Sequence, residues 1–140
     1  MKTIERKMAT VQERVSRLRQ LAEKLPSFDD YRESNDARDI AERNLQIAIE
    51  ACLDIGKIII SQQKLSEPKD YKGVFLALTQ ANIIRSETTR FLSDMAGARN
   101  VLVHGYDKVD DGLLYGILKR RLDDFGVFLN EIRDNYLLRT

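Results

Sequence analysis

The stretch from Ile4 to Leu25, IERKMATVQERVSRLRQLAEKL, decides the fold. Its apolar residues Ile4, Met8, Val11, Val15, Leu18, Ala22 and Leu25 recur at alternating spacings of four and three. At about 100° per residue they fall in one seam, with Glu5, Lys7, Glu13, Arg14 and Arg17 off it. The segment therefore predicts a long amphipathic helix that must pack against another. Pro26 ends it, because proline offers no amide hydrogen and its ring clashes with the preceding turn. Ser27 then caps a short turn through Asp30, in S-x-x-D spacing.

Outward from this seam the same periodicity continues. A second long helix is expected from Asn35 as N-cap to about Gln63. It carries two apolar tracks: Leu45, Ala48, Cys52, Ile55 and Ile59 form one, and Ile40, Ile47, Ala51 and Ile58 the other. A helix apolar on more than one face is central, or is shared between a core and a partner surface. Ala48, Ala51, Cys52 and Gly56 are small enough to let another backbone come close. The polar stretch Ser61 to Asp70, holding Pro68, reads as a loop, and Tyr71 to Ala81 as a short helix. Ser86 is the expected N-cap of the next helix, with Glu87 suited to its dipole. That helix has a core stripe of Phe91, Met95, Ala98 and Leu102 and ends near Gly105, a natural left-handed cap. A last helix opens after Asp110 and packs Leu114, Leu118, Leu122, Phe125, Leu129, Ile132 and Tyr136. No segment alternates with period two. The fold class is all-α, a helical bundle of four main helices plus short helices, forming one domain over residues 1–140.

Composition removes several function classes. With 32% charged residues and a mean hydropathy of −0.39, the chain reads as an ordinary globular domain. The longest apolar run, Val74 to Leu78, is far short of the ~20 residues a membrane helix needs. Met1 to Arg6 lacks the apolar core of a secretory leader. The net charge of +1 means that any RNA affinity must come from a local patch. Cys52 is the single cysteine, so no internal disulfide forms and a reducing cytoplasm is the expected compartment. One histidine and one cysteine, far apart in the chain, make no metal ligand set, and neither metal nor cofactor is expected.

The candidate chemistry gathers around the only histidine, His104. It stands in Ala98-Arg99-Asn100-Val101-Leu102-Val103-His104-Gly105-Tyr106. Taking Phe91 as zero on the helical wheel, the core stripe stays within about ±40° and Arg99 flanks it at about 80°. Asn100 and His104 fall near 180° and 220°, an i, i+4 pair facing away from the core. Two polar groups so placed either sit in solvent or line a cleft. The second track of the central helix suggests that another copy of the chain supplies the opposite wall.

The stretch resembles the R-x4-H-x-Y signature of HepT-like toxins in the HEPN superfamily. The helix order, the Asp107 to Asp110 loop and the Leu/Phe-rich last helix are similar to that family across nearly the whole chain. The resemblance implies a HEPN-type bundle, a homodimer, and metal-independent endoribonuclease activity. It implies a toxin of a type VII-like toxin–antitoxin pair, with a cognate small nucleotidyltransferase as antitoxin and with no membrane partner. Arg99 and His104 become the catalytic residues and Asn100 their support. Tyr106 becomes the residue to which the nucleotidyltransferase attaches AMP. The chemistry suits this assignment. Attack of a 2′-OH on phosphorus needs a base, an acid, and positive charge for the phosphorane. Histidine titrates near neutrality, and arginine is always charged with a fork that fits phosphate oxygens. One histidine cannot hold both protonation states at once, and a two-fold dimer with two His104 side chains along one cleft removes that difficulty. An adenylyl anion on Tyr106 would block RNA and repel its phosphates.

Other residues have plainer readings. Arg85, Arg90, Lys108, Lys119, Arg120 and Arg121 could contact phosphates, though most read as a solvated helix face. Tyr71 and Lys72 open a helix, where core packing is the simpler role for the ring. Cys52 lies on an apolar track and reads as core. Glu50 and Asp54 are an i, i+4 carboxylate pair that nothing else in the sequence turns into an acid and base. Tyr106 can equally pack against the last helix. Two alternatives stay open: a non-catalytic helper that holds a nucleotide or partner for a nucleotidyltransferase, and a purely structural helical dimer.

Overall fold

The structure, a computed structural model, describes residues 2–104 and 109–140. The seam of the first helix is buried as its spacing requires. In α1 (Lys2–Glu23), Ile4, Val11, Val15, Leu18 and Ala22 face inward, while Met8 is half-buried. Lys119 donates its amine to the Ala22 carbonyl at 2.7 Å, and Tyr115 its hydroxyl to the Leu25 carbonyl at 2.8 Å. The Ala22 carbonyl also accepts from the Leu25 amide at 3.1 Å, so the two side-chain bonds tie the turn after α1 to α6 (Asp111–Arg120). The short α2 (Phe28–Glu33) is capped by Ser27, which accepts from the Asp30 amide at 3.2 Å.

The central helix, α3 (Asn35–Gln62), begins one residue earlier than the spacing suggested. Ser34, extended at φ −102° and ψ 107°, is its N-cap and accepts from the Ala37 amide at 3.0 Å. Asn35, expected as the cap, is already helical. Leu45, Ala48, Cys52, Ile55 and Ile59 are buried, and so are Ile49, Leu53 and Ile60. The second track is mostly covered by the chain itself: Ala51 is buried, Ile47 and Ile58 are half-buried, and Ile40 alone of the four is exposed.

Gly56 shows what the small residues of α3 are for. A Cβ at Gly56 would lie 2.5 Å from Cγ1 of Val74 in α4 (Tyr71–Gln80), closer than carbon atoms can approach. The absent side chain thus lets α4 press directly onto α3. The start of α4 is pinned as well. Asp70 accepts from the Gly73 amide at 2.7 Å, and a Cβ at Gly73 would meet that of Pro68 at 2.9 Å.

Helix α5 (Ser86–His104) buries Phe91, Leu92, Met95, Ala96 and Ala98. Ser86, expected as its N-cap, is instead its first helical residue. The preceding Arg85 carbonyl accepts from the Thr89 amide at 3.0 Å. The acceptor at this end comes from a distant helix: the buried Glu131 carboxylate takes the Arg85 amide at 2.7 Å and the Thr88 hydroxyl.

The last helix, expected to be continuous, is two: α6 (Asp111–Arg120) and α7 (Asp123–Asn135). Arg121 leaves the helix at φ −123° and ψ 3°, and the Asp124 and Phe125 amides turn back to residues only three earlier. The apolar spacing runs through this break and so conceals it. The guanidinium of Arg121 sits 4.9 Å over the Phe91 ring, and Phe91 meets Phe125 edge-on at 5.1 Å. The bend is therefore what brings α7 onto α5. A 3-10 turn at Leu137–Arg139 follows, after Tyr136 has donated its hydroxyl to Gln62 at 2.5 Å. Among the described residues there are seven α-helices and no strand, and no helix is long and apolar enough to cross a membrane.

The α3–α4 approach yields a direct test. Gly56→Ala is expected to cost about 1–3 kcal/mol, because the stiff Val74 side chain can yield only if α4 shifts. Urea unfolding should show this as a lower midpoint at unchanged slope.

Candidate active site

Three helices converge on Arg99. Its position on the flank of the α5 core stripe leaves the side chain only 17% exposed, between α3 and α4. Glu50 of α3 accepts from Arg99 Nε at 3.2 Å. The same Glu50 oxygen accepts from Gln46 Nε2 at 3.0 Å, which fixes the carboxylate from one turn below. From α4, the Tyr71 hydroxyl accepts from Arg99 Nη1 at 3.1 Å, and its ring centroid lies 5.3 Å from the guanidinium carbon. Lys57 Nζ approaches that ring at 5.6 Å, so the tyrosine sits among cations that favour its electron-rich face.

Asn100 is exposed, and its Oδ1 lies 3.4 Å from Arg99 Nη1. It is thus joined to the arginine as well as sharing helical register with His104. Helix α5 runs unbroken to His104, so the four-residue step from Asn100 is kept. The His104 side chain, Gly105, Tyr106, Lys108 and the start of the expected loop at Asp107 lie outside the described residues.

Two residues set aside from sequence are part of this cluster. Glu50 does not pair with Asp54, which bonds Lys7 of α1 at 3.0 Å. Its proper signal was available: Glu50 is the only polar residue between Ile47 and Leu53, a break in an apolar run that buried helices rarely tolerate without a partner. Tyr71 carried no such mark, since half-burial and a polar contact are ordinary for tyrosine.

The basic residues near the motif are largely committed elsewhere. Lys119 closes α1. Arg85 pairs with Glu131 at 3.7 Å, and Arg121 with Asp94 at 3.5 Å and Asp124 at 3.6 Å. Arg90 and Arg120 are exposed. Beside the motif, on the opposite flank of α5 from Arg99, lies a groove of about 450 Å³ lined by Gly97, Ala98, Val101, Val109 and Leu113. Val101 is 37% exposed and Leu113 53%.

A second polar cluster stands where α2, α3 and α6 meet. Burial raises the carboxyl pKa of Glu42, with Asp111 and Asp39 adding to the effect and Arg38 opposing it. Arg38 lies 3.7 Å from Asp111. Tyr31 is fully buried nearby, and burial pushes its phenol up. Burial alone pushes the Cys52 thiol up, in keeping with a core role.

Among the described residues the chain is a seven-helix all-α bundle, with Arg99 and His104 five residues apart at the end of one long helix, as expected of the HEPN class. Comparison with known proteins supports this. Residues 11–132 match the family model described as Ribonuclease HepT-like. The chain belongs to that family. It is 29% identical over 127 residues to the mRNA nuclease HepT of Shewanella oneidensis, covering 91% of this chain and 93% of the relative. It is 32% identical over 114 residues to the tRNA nuclease HepT of Aphanizomenon flos-aquae, covering 80% and 76%. Among solved structures, the tri-AMPylated HEPN toxin of Shewanella oneidensis in complex with its MNT antitoxin superposes with a TM-score of 0.86 at 28% identity, covering 95% of this chain and 98% of that one.

The Glu42 cluster predicts a pH dependence of stability. Glu42 holds its proton more tightly folded than unfolded, so its ionised form is a burden at neutral pH. Glu42→Gln should raise the thermal midpoint at pH 7. The gain should vanish once the pH falls below the ordinary carboxylate range.

Proposed function

We propose that this protein is the endoribonuclease toxin of a toxin–antitoxin pair, cutting RNA without a metal through Arg99 and His104. The observation that carries the reading is the Arg99 guanidinium, held at the junction of three helices, next to the exposed Asn100 and five residues before the end of α5. On this reading His104 takes the proton of the 2′-OH or supplies one to the departing 5′-oxygen. Arg99 compensates the charge gathering on the phosphorane, and Asn100 orients its neighbours. The products are a 2′,3′-cyclic phosphate and a 5′-hydroxyl.

The protein acts as a homodimer, so that the second His104 carries the complementary protonation state. The face on which we place the second copy is the groove beside α5 rather than the second track of α3. The chain covers most of that track itself, whereas Val101 and Leu113 remain exposed. The partner is a small nucleotidyltransferase that attaches AMP to Tyr106. The AMP-modified relative bound to its antitoxin supports this reading. RNA is the substrate, and the cytoplasm is where such a substrate is met.

Incubation with single-stranded RNA or tRNA in EDTA tests the nuclease reading. Wild type should cut, while His104→Ala and Arg99→Ala should lose about a hundredfold or more. Equal cutting by all three would defeat it, and tight nucleotide binding without RNA turnover would favour the helper alternative.

Intact mass of protein co-produced with its nucleotidyltransferase tests the switch. Whole adenylyl increments should map to Tyr106. Tyr106→Phe should remain unmodified, and modification at another residue would refute the assignment.

A further inference from the structure

The five N–H donors of Arg99 are unequally engaged, and this sharpens the proposed chemistry. Nε is taken by Glu50 at 3.2 Å; Nη1 faces the Tyr71 hydroxyl at 3.1 Å and Asn100 Oδ1 at 3.4 Å. Among the described residues Nη2 has no partner. Glu50 is itself held by Gln46, and the Tyr71 ring centroid lies 5.3 Å from the guanidinium carbon. Carboxylate at Nε and hydroxyl at Nη1, on two edges of the planar group, fix both its plane and its rotation within that plane. A flexible arginine would present any edge to a phosphate; this one presents Nη2.

We infer that Glu50 and Tyr71 are positioning residues of the cleavage step, fixing the Arg99 guanidinium so that one nitrogen meets one non-bridging oxygen of the scissile phosphate. The inference rests on the nuclease reading above. Glu50 cannot serve this step by attracting substrate. Its carboxylate is 37% exposed beside the place a phosphate would occupy, and its charge opposes RNA. Its contribution is orientation, which lowers the barrier because a preorganised donor needs no rearrangement as charge develops. Tyr71 contributes without charge, through its oxygen and its ring. The pinned start of α4, with Asp70 capping and Gly73 against Pro68, keeps that ring in place.

A fixed donor distinguishes the two non-bridging oxygens, and a loose one does not. The test uses an oligoribonucleotide carrying either the Rp or the Sp phosphorothioate at the linkage that the protein cuts in unmodified RNA. Wild type should cleave one diastereomer about tenfold faster or more. Glu50→Ala should lower kcat by about tenfold without raising KM, and its Rp/Sp ratio should fall towards one. Tyr71→Phe keeps the ring but loses the oxygen, and its ratio should fall part of the way. Glu50→Gln keeps an oxygen for Nε and should hold the ratio within about twofold of wild type. The ratio is internal to each preparation, so partial misfolding cannot mimic its loss.

An unchanged ratio in Glu50→Ala or in Tyr71→Phe removes that residue from the assignment. A Glu50→Gln protein as indiscriminate as Glu50→Ala overturns the positioning role of Glu50. Equal cutting of both diastereomers by wild type denies the fixed donor altogether. A wild type that cuts no RNA at all defeats the nuclease reading, and this inference with it.

Discussion

Helix α3 has more apolar surface than any single neighbour can cover, and the rest of the fold answers that constraint. Thirteen of its 28 residues are buried. A helix buried on several faces cannot stand as an outer layer, because exposing even a few leucine or isoleucine side chains costs several kcal/mol at about 25 cal/mol per Å². So α1 lies along one side, α4 is pressed into Gly56 on another, and α5 and α6 complete the surround. The motif-bearing helix is thereby placed against the same scaffold that carries Glu50. The arginine cluster is a by-product of covering α3.

That origin explains why the site spans three helices while its motif occupies one. The register of Arg99 and Asn100 is set within α5 by helical geometry alone. The direction in which Arg99 points is set from outside, by a carboxylate on α3 and a hydroxyl on α4. Each of those is fixed in turn by a local device: Gln46 beneath Glu50, and the Asp70 cap with the Gly73–Pro68 contact before Tyr71. At its far end α5 is tied to α7 by Glu131, and the bend at Arg121 seats α7 against it. Both ends of the helix are thus held by residues far away in the chain.

Helix periods were legible in the sequence because they depend on neighbours three and four residues apart. The α1 seam, the Ser27 cap, the α4 limits and the α5 core stripe all follow from such local rules. What escaped depends on tertiary partners. Ser34 displaced Asn35 as a cap by one residue, since either side chain suits that end and only the entry angle of the chain chooses. The break at Arg121 was invisible because Leu118, Leu122 and Phe125 keep helical spacing across it. At Ser86 the missing information was Glu131, a residue on another helix altogether. The motif disclosed which residues of α5 to consider, but the partners of Arg99 are 49 and 28 residues away. Only the lone carboxylate in the apolar run from Ile47 to Leu53 hinted at one of them.

The pairing of Arg99 with Glu50 also bears on how a chain of net charge +1 engages a polyanion. Charge attraction alone is weak here. Arg85, Arg121 and Lys119 are spent on internal carboxylates or carbonyls, and Arg99 has a carboxylate already at its side. A surface so balanced gains little from long-range steering, which requires a field of one sign. Its discrimination must instead come from short-range fit, where a desolvated, oriented donor is worth far more than the same charge in water. On the proposed reading, burying the arginine against a carboxylate sacrifices some affinity for the ground state and retains geometry for the charge that develops later. That exchange is what a catalytic arginine requires, and it is poorly suited to a group that merely holds RNA.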